Sequence, residues 1–196
     1  MNIPIASEKS LFLASRGFEV TGVDLSPTAV EWARDKAKQR GIKAEFFVDD
    51  VLQLKTQKNE TFDFVLDGDC LHCIAGDGRR MFLDSAWRVL KPGGFLRVQT
   101  MTQPILELEK NIQPPFSYDP ISKIIFLNGE PFRFVGCPDE IREEVRKAGF
   151  EELAYTLTQG VPGKEAQFTN GIKLDAQKVP RESLQGSTDA DSLKST

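Results

Sequence analysis

Five acidic residues, Asp24, Asp49, Asp50, Asp67 and Asp69, stand at or just past the ends of apolar stretches: FEVTGVD (18–24), AEFFVDDV (44–51) and FDFVLDGD (62–69). In open α/β sheets, ligands lie across the carboxyl ends of the strands. A carboxylate there can accept hydrogen bonds from both hydroxyls of a ribose. Any one of these acids alone is ordinary, because exposed strand ends favour Asp; the signal is their repetition. His72 is the only histidine, and an unperturbed pKa of ~6.5 would let it take a proton near neutral pH. The competing reading is a histidine that packs near a ligand without acid–base work. Cys70 and Cys73 have CxxC spacing, but no second pair or His cluster completes four ligands and Cys137 is remote in sequence. No metal is expected.

The elements that must position these residues follow from periodicity and punctuation. SEKSLFLASR (7–16) predicts a helix stopped by Gly17, followed by a strand over 18–24. Ser26 and Pro27 begin a second helix, with Val30, Ala33 and Ala37 on one face and Gly41 at its end. Strands follow at 44–51 and 62–69, separated by a polar loop. RRMFLDSAWRVL (79–90) repeats its apolar positions at helix spacing, Lys91–Gly94 predicts a tight turn, and GFLRVQTM (94–101) a further strand. This alternation implies a mostly parallel sheet wrapped by helices. The stretch 102–136, rich in Pro and aromatics, breaks the rhythm and is expected to be a lid or acceptor-side insertion. Within it, Gln113-Pro-Pro-Phe116 reads as loop structure. Residues 138–148 predict a helix with Ile141 and Val145 inward, and 153–159 with 166–178 an antiparallel closing hairpin. One domain is expected over 1–178, with a disordered tail over 179–196.

In this order and spacing, GFEVTGVDLSPTAVEWARDKA, the acidic pair in FFVDDVLQL, FDFVLDGDCLHCI and RVLKPGGFL resemble the successive motifs of class I S-adenosylmethionine-dependent methyltransferases. The resemblance covers roughly residues 8–101, and RVLKPGG is its most specific piece. It implies a Rossmann-like α/β fold and S-adenosylmethionine as cofactor. Asp24 would hold the cofactor's ribose hydroxyls, with Leu25 against the adenine. Asp50 would accept from the adenine amine, and the Val51 N–H would read the ring. Asp67 and Gly68 would lie under the methionine portion. Leu71-His72-Cys73 stands where many members carry Leu-His-His, so Cys73 is a departure; His72 is the candidate catalytic base.

One motif has no counterpart. The family's first strand runs into a turn with three alternating glycines, where backbone N–H groups approach the methionine carboxylate. Here IPIASEKS holds the corresponding place and contains no glycine. The expectation is therefore a first strand missing or replaced, an N-terminally truncated chain, and cofactor binding impaired by loss of the turn. A catalytically inactive, partner-binding scaffold is the alternative. A dinucleotide dehydrogenase explains neither the third-strand acids nor LKPGG, and it needs the same glycines.

Bulk properties narrow the rest. A chain of 196 residues with 40% apolar and 28% charged residues suits a globular domain, and three cysteines suggest a reduced, cytoplasmic setting. A net charge of −4 weighs against nucleic acid, and no apolar run reaches the ~20 residues of a membrane span. With no appended nucleic-acid-binding module, a small-molecule acceptor is expected. Oligomeric state and the attacking atom leave no mark in the sequence.

Overall fold

The computed structural model describes residues 8–104, 112–159 and 169–180. Helix α1 (Glu8–Ser15) leads through Gly17 to strand β1 (Thr21–Asp24). Helix α2 (Pro27–Gln39) begins where the sequence predicts, with the Ser26 hydroxyl accepting from the Ala29 N–H at 3.3 Å. Its Val30, Ala33 and Ala37 are buried, sharing a small core with Leu11 of α1 and Phe46. Phe46 lies in β2 (Glu45–Val48), which runs parallel to β1 with Gly22 opposite Phe46. A side chain at position 22 would start 2.6 Å from the Phe46 ring, so glycine is what allows these strands to pair here.

The remaining strands are β3 (Phe62–Leu66), β4 (Leu90–Pro104), β8 (Phe150–Thr158) and β9 (Thr169–Lys178), in the order β3-β4-β9-β8. The β3–β4 pair is parallel, and β9 runs antiparallel to both β4 and β8, which forms the expected closing hairpin. Helix α3 (Gly78–Val89) and helix α4 (Pro138–Lys147) supply the apolar covering, with Phe82, Leu83, Ala86, Val89, Ile141 and Val145 buried in one core. Burying each of these side chains other than that of Ala86 contributes about 1.5–3 kcal/mol before conformational entropy is subtracted.

Two expectations need correction. Lys91–Gly94 is not a turn before a strand. Strand β4 starts at Leu90, paired with Phe62, and the register shifts before Phe64 meets Phe95, so KPGG forms a bulge. Gly93 takes φ +74°, and a Cβ on Gly94 would stand 2.9 Å from the Lys91 carbonyl oxygen, which explains the glycine pair. The second correction concerns Gln113-Pro-Pro-Phe116 within 102–136, which the sequence predicts as loop. The described part of 102–136 builds a separate antiparallel sheet in the order β5-β6-β7, from β5 (Phe116–Asp119), β6 (Ile124–Leu127) and β7 (Glu130–Phe134). Phe116 of the Gln-Pro-Pro-Phe stretch opens β5 rather than lying in a loop. Ile125 and Val135 anchor this sheet in a small core shared with Met101, Ile112, Tyr118 and Phe132.

Among the described residues no strand pairs with β1 on one side and β3 on the other, so β1-β2 forms a two-stranded sheet of its own. The two sheets are joined by side chains instead: Val20 and Leu66 share a cluster with Leu13, Ala14, Ala44 and Phe64, and Val23 belongs to the main core. The expectation that the first strand is missing or replaced falls on residues that precede Glu8 and lie outside the described residues, as do 181–196 of the expected tail.

Candidate functional site

Parallel pairing of β1 and β2 puts the first acids side by side. Asp24 is paired opposite Val48, and the Asp49 N–H donates to the Asp24 carbonyl oxygen at 3.0 Å. The Asp24 carboxylate accepts from the Ser26 N–H at 2.8 Å, which fixes it at the mouth of α2. Leu25, next to it, is 66% exposed. The pair that follows β2 divides its work. Asp49 is nearly buried and accepts from the Thr56 N–H at 2.6 Å and the Thr56 hydroxyl at 2.7 Å. Burial works to raise its pKa, but these bonds and the Asp50 N–H outweigh it and hold the carboxyl below the usual range. Asp49 is therefore a loop organiser. Asp50 is half-buried and accepts from the Leu52 N–H at 2.9 Å. The Val51 side chain lies in the main core, while its N–H donates to no group among the described residues.

A second group gathers where β3 ends. Asp67 is wholly buried, as is Gly68 after it. One Asp67 carboxyl oxygen accepts from the N–H groups of Cys70 at 2.8 Å and Leu71 at 3.2 Å, and so shapes the one-turn 3₁₀ helix Leu71–Cys73. The other oxygen, Oδ2, has no hydrogen-bond partner among the described residues. Burial pushes this carboxyl up to about 7, against the pull of those N–H groups. His72 is 7% exposed, and its Nδ1 also lacks a partner. Burial, reinforced by the charge of Arg133, lowers its pKa to about 4, so the imidazole is neutral at physiological pH. Val23, Val51 and Leu71, each beside one of these features, share a single core, which ties the two groups together.

Sequence reasoning missed the residues that support this second group. Lys9 of α1 reaches Asp69 and the Gln99 side chain, each at 3.2 Å, and Gln99 also donates to Asp69. Arg79, only 4% exposed, forks Glu144 of α4 at 2.5–3.2 Å and donates to the Leu71 carbonyl at 2.7 Å. Its guanidinium stacks 4.0 Å from the centre of the Phe134 ring. It thereby binds the 71–73 turn to α4 and to β7. Ser10 and Thr100 carry buried hydroxyls with no partner among the described residues. Nothing in an Arg-Arg pair at a helix start distinguishes a buried ion pair from solvated charge, so only the tertiary structure identifies Arg79. Buried polar atoms without partners are costly, roughly 1–3 kcal/mol each, and clustered ones mark where a polar ligand would be favoured.

Comparison with known proteins gives a consistent family. A family model described as "Methyltransferase domain" matches residues 7–94. The chain is 26% identical over 155 residues to the ubiquinone/menaquinone biosynthesis C-methyltransferase UbiE of Haemophilus ducreyi, covering 73% of this chain and 59% of that protein. It is likewise 26% identical over 167 residues to the 2-heptyl-1-hydroxyquinolin-4(1H)-one methyltransferase of Mycobacteroides abscessus, covering 76% of this chain and 72% of that one. The chain thus spans about three fifths of the UbiE relatives it matches. Among solved structures, a SAM-dependent methyltransferase from Methanosarcina mazei superposes with TM-score 0.70 at 25% identity, covering 87% of this chain and 86% of that one. A Burkholderia thailandensis 1,6-didemethyltoxoflavin-N1-methyltransferase, solved with its substrate and S-adenosylhomocysteine, shares the fold with TM-score 0.65 at 21% identity, covering 91% and 70%.

Proposed function

The chain belongs to the class I S-adenosylmethionine-dependent methyltransferases, and from that premise we propose that it transfers a methyl group from S-adenosylmethionine to a small-molecule acceptor. The observation that carries this reading is Asp67, a wholly buried carboxyl with one oxygen unpartnered among the described residues. A buried carboxylate is tolerated best opposite a cation, and S-adenosylmethionine brings two, an ammonium and a sulfonium. Asp67 and Gly68 would receive the methionine portion, Asp24 the ribose hydroxyls beside Leu25, and Asp50 with the Val51 N–H the adenine. When bound there, the cofactor supplies a methyl group on a sulfonium whose sulfur leaves as a neutral thioether.

What this chain's residues contribute is orientation and exclusion of water, which can supply much of the rate for such a transfer. His72, with its pKa near 4, is too weak a base to hold a proton taken from an acceptor hydroxyl. Its neutral Nδ1 suits hydrogen bonding to that hydroxyl instead. The 116–134 sheet is the acceptor side. Relatives named for ubiquinone and menaquinone biosynthesis and for a hydroxyquinolinone support a small aromatic acceptor.

The acidic net charge supports an acceptor other than nucleic acid. No helix among the described residues is long and apolar enough to cross a membrane. Cys70, Cys73 and Cys137 are thiols and support a reduced, cytoplasmic setting. The test is incubation with methyl-labelled S-adenosylmethionine and a panel of hydroxyarenes and quinols. Label in at least one acceptor is expected. Intact S-adenosylhomocysteine binding with no label in any acceptor would favour the inactive scaffold.

A further inference from the structure

Strand β7 packs against the 71–73 turn and carries Arg133. The Arg133 guanidinium lies 3.8 Å from the centre of the Phe132 ring, and Nη1 donates to the Phe132 carbonyl at 2.7 Å. Its own neighbour therefore holds it in place while using one of five N–H donors. Its charge reaches the turn: burial dominates the shifts of both His72 and Cys73, and Arg133 adds to the lowering at His72 and opposes the raising at Cys73.

The other cations around this turn are already engaged. Arg79 is ion-paired with Glu144, bonded to the Leu71 carbonyl and stacked on Phe134, and Lys9 is paired with Asp69. Arg133 has no ion-pair partner among the described residues. The turn that β7 packs against carries the nine-tenths-buried His72 imidazole, whose Nδ1 has no partner among the described residues. A fixed guanidinium with open donors, on the strand that packs against this turn, and an imidazole in the tautomer that carries its proton on Nδ1 both offer donors to an oxygen that carries negative charge.

We propose that Arg133 recognises the acceptor, and that the acceptor is a compound with an acidic hydroxyl (phenol, enol or N-hydroxy type) bound as its oxyanion. This deepens the reading given above and rests on it. It also removes a difficulty in that reading: an acceptor hydroxyl that gives its proton to solvent as it binds opposite the guanidinium leaves no proton for His72 to store. Arg133 acts as a specificity residue, and His72 positions the same oxygen.

The probes are 2-heptyl-1-hydroxyquinolin-4(1H)-one and 2-naphthol, each beside its methyl ether, titrated into the full chain with and without saturating S-adenosylhomocysteine. The wild type is expected to bind each ionised hydroxyl compound about 10- to 100-fold more tightly than its ether, the range for a charge-assisted hydrogen bond. Arg133→Gln should erase that gap and Arg133→Lys should keep part of it, with S-adenosylhomocysteine affinity unchanged in both. A wild type without the gap, or a gap that survives in Arg133→Gln, would overturn the proposal. Failure to bind S-adenosylhomocysteine would instead count against the methyltransferase reading, and the hydroxyl-over-ether comparison without it would still decide the role of Arg133.

Discussion

Asp67→Asn is expected to make the protein more stable above pH 7 while weakening its hold on S-adenosylhomocysteine. The Asp67 pKa rises from 3.8 in the unfolded chain to about 7 in the folded one, chiefly through burial. A raised carboxyl stabilises the fold relative to the ionised state at low pH. That contribution is full below about pH 4 and is lost progressively as pH rises through 7. At about 1.36 kcal/mol per pKa unit, the wild type forgoes roughly 4 kcal/mol by pH 8. Asparagine keeps an oxygen for the Cys70 and Leu71 N–H groups and has no charge to bury. Urea unfolding of both proteins at pH 4 and pH 8 should therefore show a small difference at the acid end and a large gain for Asp67→Asn at the alkaline end. His72 works in the opposite sense: its lowered pKa favours the fold above about 6.5 and loses that benefit as pH falls through 4. Because His72 is present in both proteins, it cancels in the comparison. The functional half of the result is at least tenfold weaker binding of S-adenosylhomocysteine, whose ammonium loses its counter-charge. Equal stability at both pH values would show that Asp67 is not held near 7.

Arg79→Met is expected to destabilise the fold by about 3 kcal/mol. Removing one partner of a buried ion pair typically costs 3–5 kcal/mol, because the remaining charge is stranded. Glu144 is 32% exposed, so water relieves part of that penalty and the low end applies. The methionine stem would still cover Phe134, but the Leu71 carbonyl would lose its donor. Arg79→Met combined with Glu144→Leu should recover most of the loss, since the pair's attraction largely offsets its desolvation. Thermal unfolding of the wild type, the single variant and the double variant measures this directly. A double variant as unstable as the single one would mean that the Leu71 contact, rather than the lone carboxylate, carries the effect.

The sequence made legible whatever is written in local signals. The Ser26-Pro27 start of α2, its Val30-Ala33-Ala37 face, the buried Ile141 and Val145 of α4 and the closing hairpin all emerge from periodicity and capping. The family was legible because four motifs recur in order, with RVLKPGG the most distinctive. What escaped depends on contacts distant in sequence. KPGG has the composition of a turn, and only its pairing with Phe62 and Phe64 makes it a bulge. The Pro- and aromatic-rich stretch conceals a three-stranded sheet because its strands are short and lack clean alternation. Arg79 and Glu144 lie 65 residues apart, and Arg133 gains meaning only when β7 meets the turn that carries His72. At the site, the sequence marked the carboxylates but not which of them bears structure. Asp49 and Asp50 look alike in sequence, yet the Thr56 bonds commit Asp49 to its loop.

The most direct test of the central claim is calorimetric titration of the chain with S-adenosylhomocysteine, beside an Asp24→Ala variant. Asp24 ends β1 with its carboxylate oriented by the Ser26 N–H, where it is proposed to accept from the ribose hydroxyls. Saturable binding by the wild type, weakened at least tenfold in a variant that unfolds at the same denaturant concentration, is the predicted result. No binding by a folded wild-type chain, or equal binding by both proteins, would contradict it.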